Sequence, residues 1–489
     1  MAQPSKKAKS AAKTPKAPKT PKPPKAKKPS GTQILAWEDD PGSGITVNRP
    51  VPDLAKKPLA FRFPSPAPTA KVYAKATPGF RYWTAAEALR RGADFWAAVV
   101  PLANWEVGAS LKVILDEGED LNAYYDRNAL NFFHGPSPGG TVYSGESPDV
   151  ICHEMGHAIL DSFKPELWGA ASQEVAAFHE SFGDMSAILS ALQLPSLRGA
   201  ILSDTGGKIS KASRLSRLAE QLGTAIRAQQ PDAVEPDCLR NAANSFVYRD
   251  PSTLPSSAAA SSLSSEPHSF SRVFTGAFFE ILGAMLQIKA GASTPTDPQL
   301  LAVSTEFGGI LATAIKAASV VSDWYAQVAA QIVLAAGKVN PAYPPAIKAV
   351  FVRRQILSLH SAATIGMVAQ SAPTMAAIAG PIQGPLTKVA LRAGHYGIDG
   401  LLLVDAPGQH RAFIAASAGP NSQPIEPATG ATAAQYFVDD LFTRGRVDYD
   451  AQPHAHLDHR KRMKTHRVVK HGDAHHLERV LFDCGICDH

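Results

Sequence analysis

Cysteine is scarce in this sequence, and long apolar runs are missing. Four cysteines in 489 residues are too few for a disulfide framework. A reducing, cytoplasmic setting is therefore the default expectation, with non-classical export as the other route. No uncharged apolar run reaches the roughly 20 residues of a membrane span, so we expect no membrane span. The N-terminal lysines are not followed by an apolar core, so we expect no classical secretory signal.

Acidic residues are absent from residues 1–30, whereas ten lysines lie there. Without this segment the formal net charge changes from +6 to −4, so the rest of the chain is mildly acidic. Such a balance does not favour nucleic-acid binding, although the lysine-rich stretch itself could attract an anionic partner. Because residues 1–65 are rich in lysine and proline and poor in apolar residues, we predict a disordered tail there.

Beyond this tail, composition and periodicity divide the chain into four segments. We predict an N-terminal catalytic lobe at 66–185, a mainly helical lobe at 186–360, an appendage at 361–450 and a His/Cys-rich basic tail at 451–489. The last segment contains a Cys-x-x-Cys pair, Cys484 and Cys487. Because His/Cys-rich tracts can bind metal, metal storage through this tail is one hypothesis for the function.

Local patterns predict individual elements. A helical pattern begins at Asp149, the expected N-cap, and continues to about residue 192 with an interruption near Pro165. In the appendage, residues 401–404 and 412–415 are predicted to pair as a hairpin. Strands are expected at three positions before the long helical pattern: 111–115, 122–125 and 129–133.

The most informative motif is His-Glu-x-x-His at residues 153–157. On a helix, positions i and i+4 lie on one face, so His153 and His157 can bind one ion. Glu154 is then placed to take a proton from a metal-activated water. A catalytic zinc ion takes three protein ligands and keeps one position open for water. The motif therefore predicts two of the three zinc ligands, and the third ligand must come from another part of the chain.

Candidates for the third ligand lie in the next helical stretch. They are Glu174, His179, Glu180 and Asp184. Glu180 and Asp184 are four residues apart, so one of them can bind the metal while the other holds a ligand histidine in place. The residues alone leave the choice open.

With these motifs in place, the sequence resembles the thermolysin family of zinc metallopeptidases, which are gluzincins. Residues 149–161 resemble the metal helix of that family, and residues 179–184 resemble the segment that carries its third ligand. The resemblance implies Glu154 as general base and Asp184 as the carboxylate behind a ligand histidine. It implies three zinc ligands: His153, His157 and Glu180.

Three further segments extend the resemblance. Residues 122–125 resemble the edge strand that holds the peptide substrate, which implies substrate-binding roles for Asn122 and Ala123. Arg240 matches an arginine that contacts a substrate carbonyl, although an ion pair with Asp184 is equally compatible. His268 matches the histidine that stabilises the oxyanion, and is therefore implied to be catalytic.

The sequence also departs from the family. Leu263 lies near the position of the aspartate that orients the histidine, with Glu266 as a substitute, and Trp168 lies near the position of an assisting tyrosine. Asp149 matches one calcium ligand, but residues 185–200 contain no carboxylate, so calcium dependence is not favoured. These departures support an alternative function, a catalytically weak or inactive binding protein on a peptidase scaffold.

The resemblance implies an α+β chain with the two-lobed gluzincin fold. In that fold a mixed β-sheet lobe with the metal helix precedes a mainly α-helical lobe. The expected function is that of a zinc-dependent metalloendopeptidase, with one catalytic Zn²⁺ and a peptide or protein as substrate.

Overall fold

The computed structural model of the chain describes Met1 and six ranges: 31–370, 386–408, 413–415, 428–449, 463–472 and 474–485. Over these residues the protein is a mixed α+β structure with several small sheets and eleven helices. Residues 2–30, which carry the lysine-rich stretch, lie outside the described part.

Three strands lie inside the segment that was predicted to be a disordered tail. They are β1 (Gln33–Trp37), β2 (Thr46–Pro50) and β3 (Ala60–Arg62). Ile34 and Ala36 are buried against Trp83 of the first helix, α1 (Pro78–Val99). The prediction is therefore wrong for residues 33–62, because their few apolar side chains are covered by a helix that composition alone does not reveal.

The first sheet has five strands and contains the three strands predicted before the long helical pattern. These are β4 (Ser110–Ile114), β5 (Ala123–Tyr125) and β6 (Ala129–Phe132), and the predictions are confirmed. The sheet order is β3-β4-β6-β5 with β16 (Phe482–Asp483) at the far edge. β3, β4 and β6 run parallel, whereas β5 and β16 are antiparallel to their neighbours. A segment from residues far along the chain thus completes this sheet.

Two adjacent helices form the centre of the molecule, α2 (Pro148–Phe163) and α3 (Gln173–Ala191). The predicted interruption near Pro165 separates them. A β-carbon at Gly156 would lie 2.9 Å from the Cα of Gly183, so glycines on both helices allow the backbones to approach closely. This close approach brings side chains of the two helices together over the sheet.

The remaining elements surround this pair. The helices are α4 (Pro195–Thr205), α5 (Glu220–Gln229), α6 (Pro267–Ala290), α7 (Asp297–Ala317), α8 (Trp324–Val339), α9 (Tyr343–Arg353) and α10 (Leu359–Gln370). Two hairpin-like pairs precede or follow α2 and α3: β7 (His134–Ser137) with β8 (Gly140–Tyr143), and β9 (Arg217–Leu218) with β10 (Arg240–Asn241).

By length and composition alone, α6 and α7 are apolar enough to cross a membrane. The bent pair α3 and α4, at 100°, would make a third candidate. The apolar windows of α6 and α7 are 72% and 56% buried inside the protein. The expectation of no membrane span is therefore not supported by helix composition and stays a prediction.

A second five-stranded sheet combines the predicted appendage with the His/Cys-rich segment. Its strands are β11 (Thr387–Arg392), β12 (Leu401–Ala406), β13 (Val447–Asp448), β14 (His466–His471) and β15 (Ala474–Arg479), in the order β11-β12-β15-β14-β13. One helix, α11 (Gly430–Thr443), packs on it through Phe437 and Val438. The predicted partner of residues 401–404 is wrong, since β12 pairs with β11 and β15 instead.

Candidate metal centre

The histidines of the His-Glu-x-x-His motif lie on one face of α2. The helix begins one residue before the predicted N-cap: Ser147 is the cap, and its Oγ accepts a hydrogen bond from the Val150 amide at 3.3 Å. The rings of His153 and His157 are 4.9 Å apart between centroids. Ligand atoms of these two residues and of Glu154 lie within 4.8 Å of one another. Among the described residues, this is the one such group of three.

Glu180 reaches both histidines from α3. Its Oε2 lies 3.2 Å from Nε2 of His153, and its Oε1 lies 3.8 Å from Nε2 of His157. All three side chains are buried. Although burial by itself would raise the pKa of Glu180, the nearby His268 and His157 lower it well below the usual value. The structure therefore brings an ionised carboxylate and two imidazoles to one point.

Glu174, the other glutamate weighed as third ligand, is used elsewhere. Its Oε1 accepts a hydrogen bond from the Tyr248 hydroxyl, and its Oε2 accepts one from the Tyr325 amide, both at 2.7 Å. His179 lies nearer the site, with its ring 5.7 Å from that of His157. Burial lowers the pKa of His179 well below the usual value, so its imidazole is neutral. Neither of its ring nitrogens has a hydrogen-bond partner among the described residues.

Asp184 holds His153 from the side away from Glu180. Nδ1 of His153 donates to Oδ1 of Asp184 at 3.0 Å, and Arg240 donates from Nη2 to the same oxygen at 2.8 Å. Burial would raise the pKa of Asp184, but the charge of Arg240 and the His153 hydrogen bond outweigh it and lower the pKa to about 2. The ionised carboxylate fixes which nitrogen of His153 faces Glu180.

The polar atoms at this point are poorly satisfied by the protein alone. Both carboxylate oxygens of Glu154 and both ring nitrogens of His157 are buried without a hydrogen bond to any described nitrogen or oxygen atom. Burial raises the pKa of Glu154 to about 8 with help from the charge of Glu180, although the charge of His153 and the Cys484 thiol oppose the rise. Unsatisfied buried polar groups cost about 1–3 kcal/mol each. A bound cation with its water would satisfy them, so the residues fit a metal.

His153 also indicates that this point favours positive charge. Burial would lower the pKa of its imidazole, but the hydrogen bonds to Asp184 and Glu180 outweigh burial and raise the pKa to about 9. Nε2 of this imidazole faces Oε2 of Glu180 at 3.2 Å, so a proton would be favoured between them. A divalent cation bound by Nε2 would take the place of that proton.

His268 enters the site from the first turn of α6. Its Nδ1 faces Oε1 of Glu266 at 2.8 Å, and its Nε2 lies 3.1 Å from Oε2 of Glu180. Leu263 lacks the carboxylate expected near its position, and the carboxylate of Glu266 contacts the His268 ring instead. Glu266 is the substitute that the sequence predicted. Trp168, which lies near the position of the assisting tyrosine in the sequence comparison, has no hydroxyl group. Its ring packs edge-on against Phe482 at 5.4 Å.

The predicted substrate strand β5 lies beside these residues. Asn122 and Ala123 are buried, and Oδ1 of Asn122 accepts from the Ala123 amide. The outer edge of this strand is paired with β16, so Cys484 donates its amide to the Ala123 carbonyl at 3.0 Å. Arg240 borders one small cavity together with Cys484 and His153.

Several side chains that sequence reasoning did not select also border the site. Arg479 lies over the ring of Phe482 at 4.0 Å and donates from Nε to the Trp168 carbonyl at 2.9 Å. Arg446 pairs with Asp483 at 2.6 Å. A change in composition could have drawn attention to Phe482 and Asp483, the partners of these two arginines. Leu481 to Cys484 is an apolar and acidic stretch that follows a polar, histidine-rich one.

Asp149, the residue that matches a calcium ligand, is buried in an acidic group and borders the same small cavity as His153. Burial and repulsion from Asp40 and Asp39 raise its pKa well above the usual value, and its Oδ2 accepts from the Ala219 amide at 3.1 Å. The two nearby aspartates come from the chain before α1.

Comparison with known proteins does not assign this chain to a family. No protein-family profile matches the chain, and no curated protein matches it significantly.

Proposed function

We propose that this chain is a zinc-dependent metalloendopeptidase with the two-lobed gluzincin fold of the thermolysin-like family. The main support is that His153, His157 and Glu180 lie close together. Nε2 of His153 is 3.2 Å from Oε2 of Glu180, and Nε2 of His157 is 3.8 Å from Oε1 of Glu180. Asp184 stands behind His153 as the partner of its other nitrogen. In this proposal β1 to α2 belong to the sheet-containing lobe, and α4 to α9 form the helical lobe.

The ligand chemistry favours zinc among the common divalent ions. Two imidazoles and one carboxylate suit zinc, whereas calcium and magnesium prefer oxygen ligands alone. When bound, zinc would lower the pKa of a water molecule toward about 7 and polarise a substrate carbonyl. His153, His157 and Glu180 are the residues that would hold it.

The chain's own residues supply the proton transfers and the positioning. Glu154 takes a proton as water attacks the peptide carbonyl and returns it to the leaving amine. Both oxygens of its buried carboxylate form no hydrogen bond to a described nitrogen or oxygen atom, so they are placed to accept that proton. His268, oriented by Glu266, donates a hydrogen bond to the oxygen on which negative charge develops. A contact of this kind contributes about 3 kcal/mol to transition-state stabilisation.

The substrate would lie extended along β5. Backbone groups of Ala123 pair with the peptide, as in other cases where a peptide adds a strand to a sheet edge. Asn122 immediately precedes this strand, and Arg240 borders a small cavity together with Cys484, whose amide donates to Ala123. The ion pair of Arg240 with Asp184 means that one arginine would serve both the substrate and the metal ligand.

A catalytically weak or inactive binding protein is the second candidate. The observation that favours it is the strand β16, which fills the edge of β5 where a peptide would bind. Trp168 in place of an assisting tyrosine points the same way. The presence of Glu154, a buried carboxylate that forms no hydrogen bond to a described nitrogen or oxygen, favours catalysis.

The test is zinc content together with peptide hydrolysis for the wild type and Glu154→Gln. The substitution removes the proton acceptor and leaves the three ligand side chains in place. We expect one tightly bound zinc in both proteins and cleavage by the wild type alone. If the wild type binds zinc but leaves a broad peptide library intact, the binding-protein function replaces the peptidase. Failure of both proteins to bind zinc would exclude both proposals as stated.

A further inference from the structure

The chain itself occupies the sheet edge that the proposed function assigns to a substrate. β16 pairs antiparallel with β5, with Phe482 opposite Tyr125 and Asp483 opposite Tyr124. The Cys484 amide then donates to the Ala123 carbonyl at 3.0 Å. Strand addition of this kind binds a peptide through its backbone, whatever its side chains are. Residues 481–485, which we name the cleft segment, are therefore bound as a peptide would be.

Both ends of one peptide bond in the cleft segment are held by the proposed machinery. The carbonyl oxygen of Asp483 lies 2.5 Å from Nε2 of His268, the group proposed to stabilise the oxyanion. The amide of the same bond belongs to Cys484 and is held by Ala123. The same His268 nitrogen lies 3.1 Å from Oε2 of Glu180, so this carbonyl lies close to the candidate metal ligands.

The side chains of the cleft segment fix its register. The Phe482 ring stacks on the ring of His179 at 4.0 Å and on that of His157 at 5.0 Å. The Asp483 carboxylate is buried and pairs with Arg446 at 2.6 and 2.7 Å. These contacts would be lost if the segment slid by one residue, because successive side chains of a strand point to opposite faces.

The end of the segment passes close to the first residue of the substrate strand. A β-carbon at Gly485 would lie 2.3 Å from Cγ of Asn122, so only a residue without a side chain fits there. Cys484, one residue earlier, is buried in the small cavity that Arg240 and His153 also line. On the Cys484 side of the Asp483–Cys484 bond, the cleft segment thus contacts Asn122 and Ala123, two of the residues proposed to bind the substrate.

We propose that the peptide bond between Asp483 and Cys484 is cut in cis by the chain's own metal site. This inference rests on the proposed peptidase function. Hydrolysis breaks the C–N bond: water supplies its oxygen to the carbonyl carbon of Asp483 and a proton to the nitrogen of Cys484. The products are a new carboxylate at Asp483 and a new amine on Cys484. Until that bond is cut, the cleft segment excludes other peptides from β5.

The experiment follows the intact mass of the full chain, purified without metal and then loaded with zinc. We expect the wild type to lose everything from Cys484 onward, at a first-order rate that does not depend on protein concentration. The Glu154→Gln protein should remain whole under the same conditions. An added peptide is assayed in parallel. Hydrolysis of that peptide by a wild type whose Asp483–Cys484 bond stays intact overturns the inference and leaves the peptidase proposal standing.

If neither the added peptide nor the chain is cut, the peptidase proposal fails and the inference fails with it. Cleavage only between molecules, at a rate that rises with protein concentration, would overturn the cis reaction. A second variant, Cys484→Pro, removes the amide hydrogen that Ala123 accepts and changes no residue of the proposed catalytic set. We expect this chain to bind zinc like the wild type and to remain whole at position 483.

A second readout does not depend on activity. In zinc-loaded Glu154→Gln protein, the amide hydrogens of Phe482 and Cys484 should exchange roughly tenfold or more slowly than unprotected backbone, because alternate amides of β16 face β5 in this register. Cys484→Pro in the same background should speed the exchange of Phe482. Exchange at the unprotected rate in the parent protein would show that the cleft segment does not occupy the site, which overturns the inference.

Discussion

Gly183 of α3 lies directly against the imidazole of His153. A β-carbon at Gly183 would come within 2.6 Å of both Nδ1 and Cε1 of that ring. Glycine at this position therefore lets α3 approach α2 closely enough for Glu180, three residues earlier, to reach the same histidine. The geometry of the candidate metal centre therefore requires a residue without a β-carbon at position 183.

The first prediction tests this contact. Gly183→Ala should displace His153 and weaken zinc binding by about 10–100-fold, the range seen when support of a metal ligand is lost. The measurement is zinc affinity by competition with a chelator. Gly199→Ala is the matched control, since nothing lies within 4 Å of a β-carbon there and α4 contains the residue. The control should bind zinc normally and gain about 0.5–1 kcal/mol of stability. Equal zinc affinity in both variants would contradict the role of Gly183.

The second prediction separates the two glutamates of α3. Glu180→Gln should weaken zinc binding by more than the roughly 10–100-fold expected for a supporting residue, because it removes a charged ligand. Glu174→Gln should leave zinc binding unchanged, since Glu174 is occupied by Tyr248 and the Tyr325 amide. The number of zinc ions bound per chain is measured for both variants after dialysis against buffer without metal. Loss of zinc from Glu174→Gln alone would mean that the third ligand is misassigned.

The third prediction concerns His268. Because it is expected to stabilise charge that develops only in the transition state, His268→Ala should lower kcat by about 100–1000-fold. KM and zinc content should change little. Glu266→Gln should have a smaller effect, since the one amide oxygen of glutamine can still accept from Nδ1 of His268, while the acceptor for the Ser269 amide is lost. Steady-state kinetics on one peptide measures kcat and KM for each variant. An unchanged kcat in His268→Ala would exclude the proposed role of His268 in stabilising the oxyanion.

The fourth prediction concerns stability and pH. Burial raises the pKa of Asp40 to about 6, although hydrogen bonds from Ser147, Gly42 and Gln221 oppose the rise. A carboxyl group whose pKa is raised on folding stabilises the native state when protonated, and this stabilisation is lost as pH rises from about 4 through 6. Asp40→Asn stays neutral and keeps an acceptor for the two amides. Its gain over wild type should therefore grow with pH, to on the order of 3 kcal/mol.

Urea denaturation of both proteins at pH 4 and at pH 7.5 measures this gain. The exposed Asp204→Asn serves as the matched control for removing one carboxyl group. A constant difference between wild type and Asp40→Asn across that range would show that Asp40 ionises as easily in the folded protein as in the unfolded chain.

Local patterns were sufficient for the elements nearest the site. The strands at residues 110–114, 123–125 and 129–132 follow from alternation of apolar residues over a few positions. The N-cap of α2 was placed two residues too late, at Asp149 instead of Ser147, because both residue types cap helices well. The pairing of residues 401–404 could not be predicted in the same way. β12 lies between two strands, one of which comes about 70 residues later.

The sequence by itself determined that His153, Glu154 and His157 share a helix and that a carboxylate helix follows, because these relationships span one or two helical turns. Only the tertiary structure decided two further points. Glu180 rather than Glu174 meets the histidines, and Asp483 lies beside Tyr124. Such contacts join segments that are up to hundreds of residues apart. They depend on how helices and strands pack, which no local periodicity records.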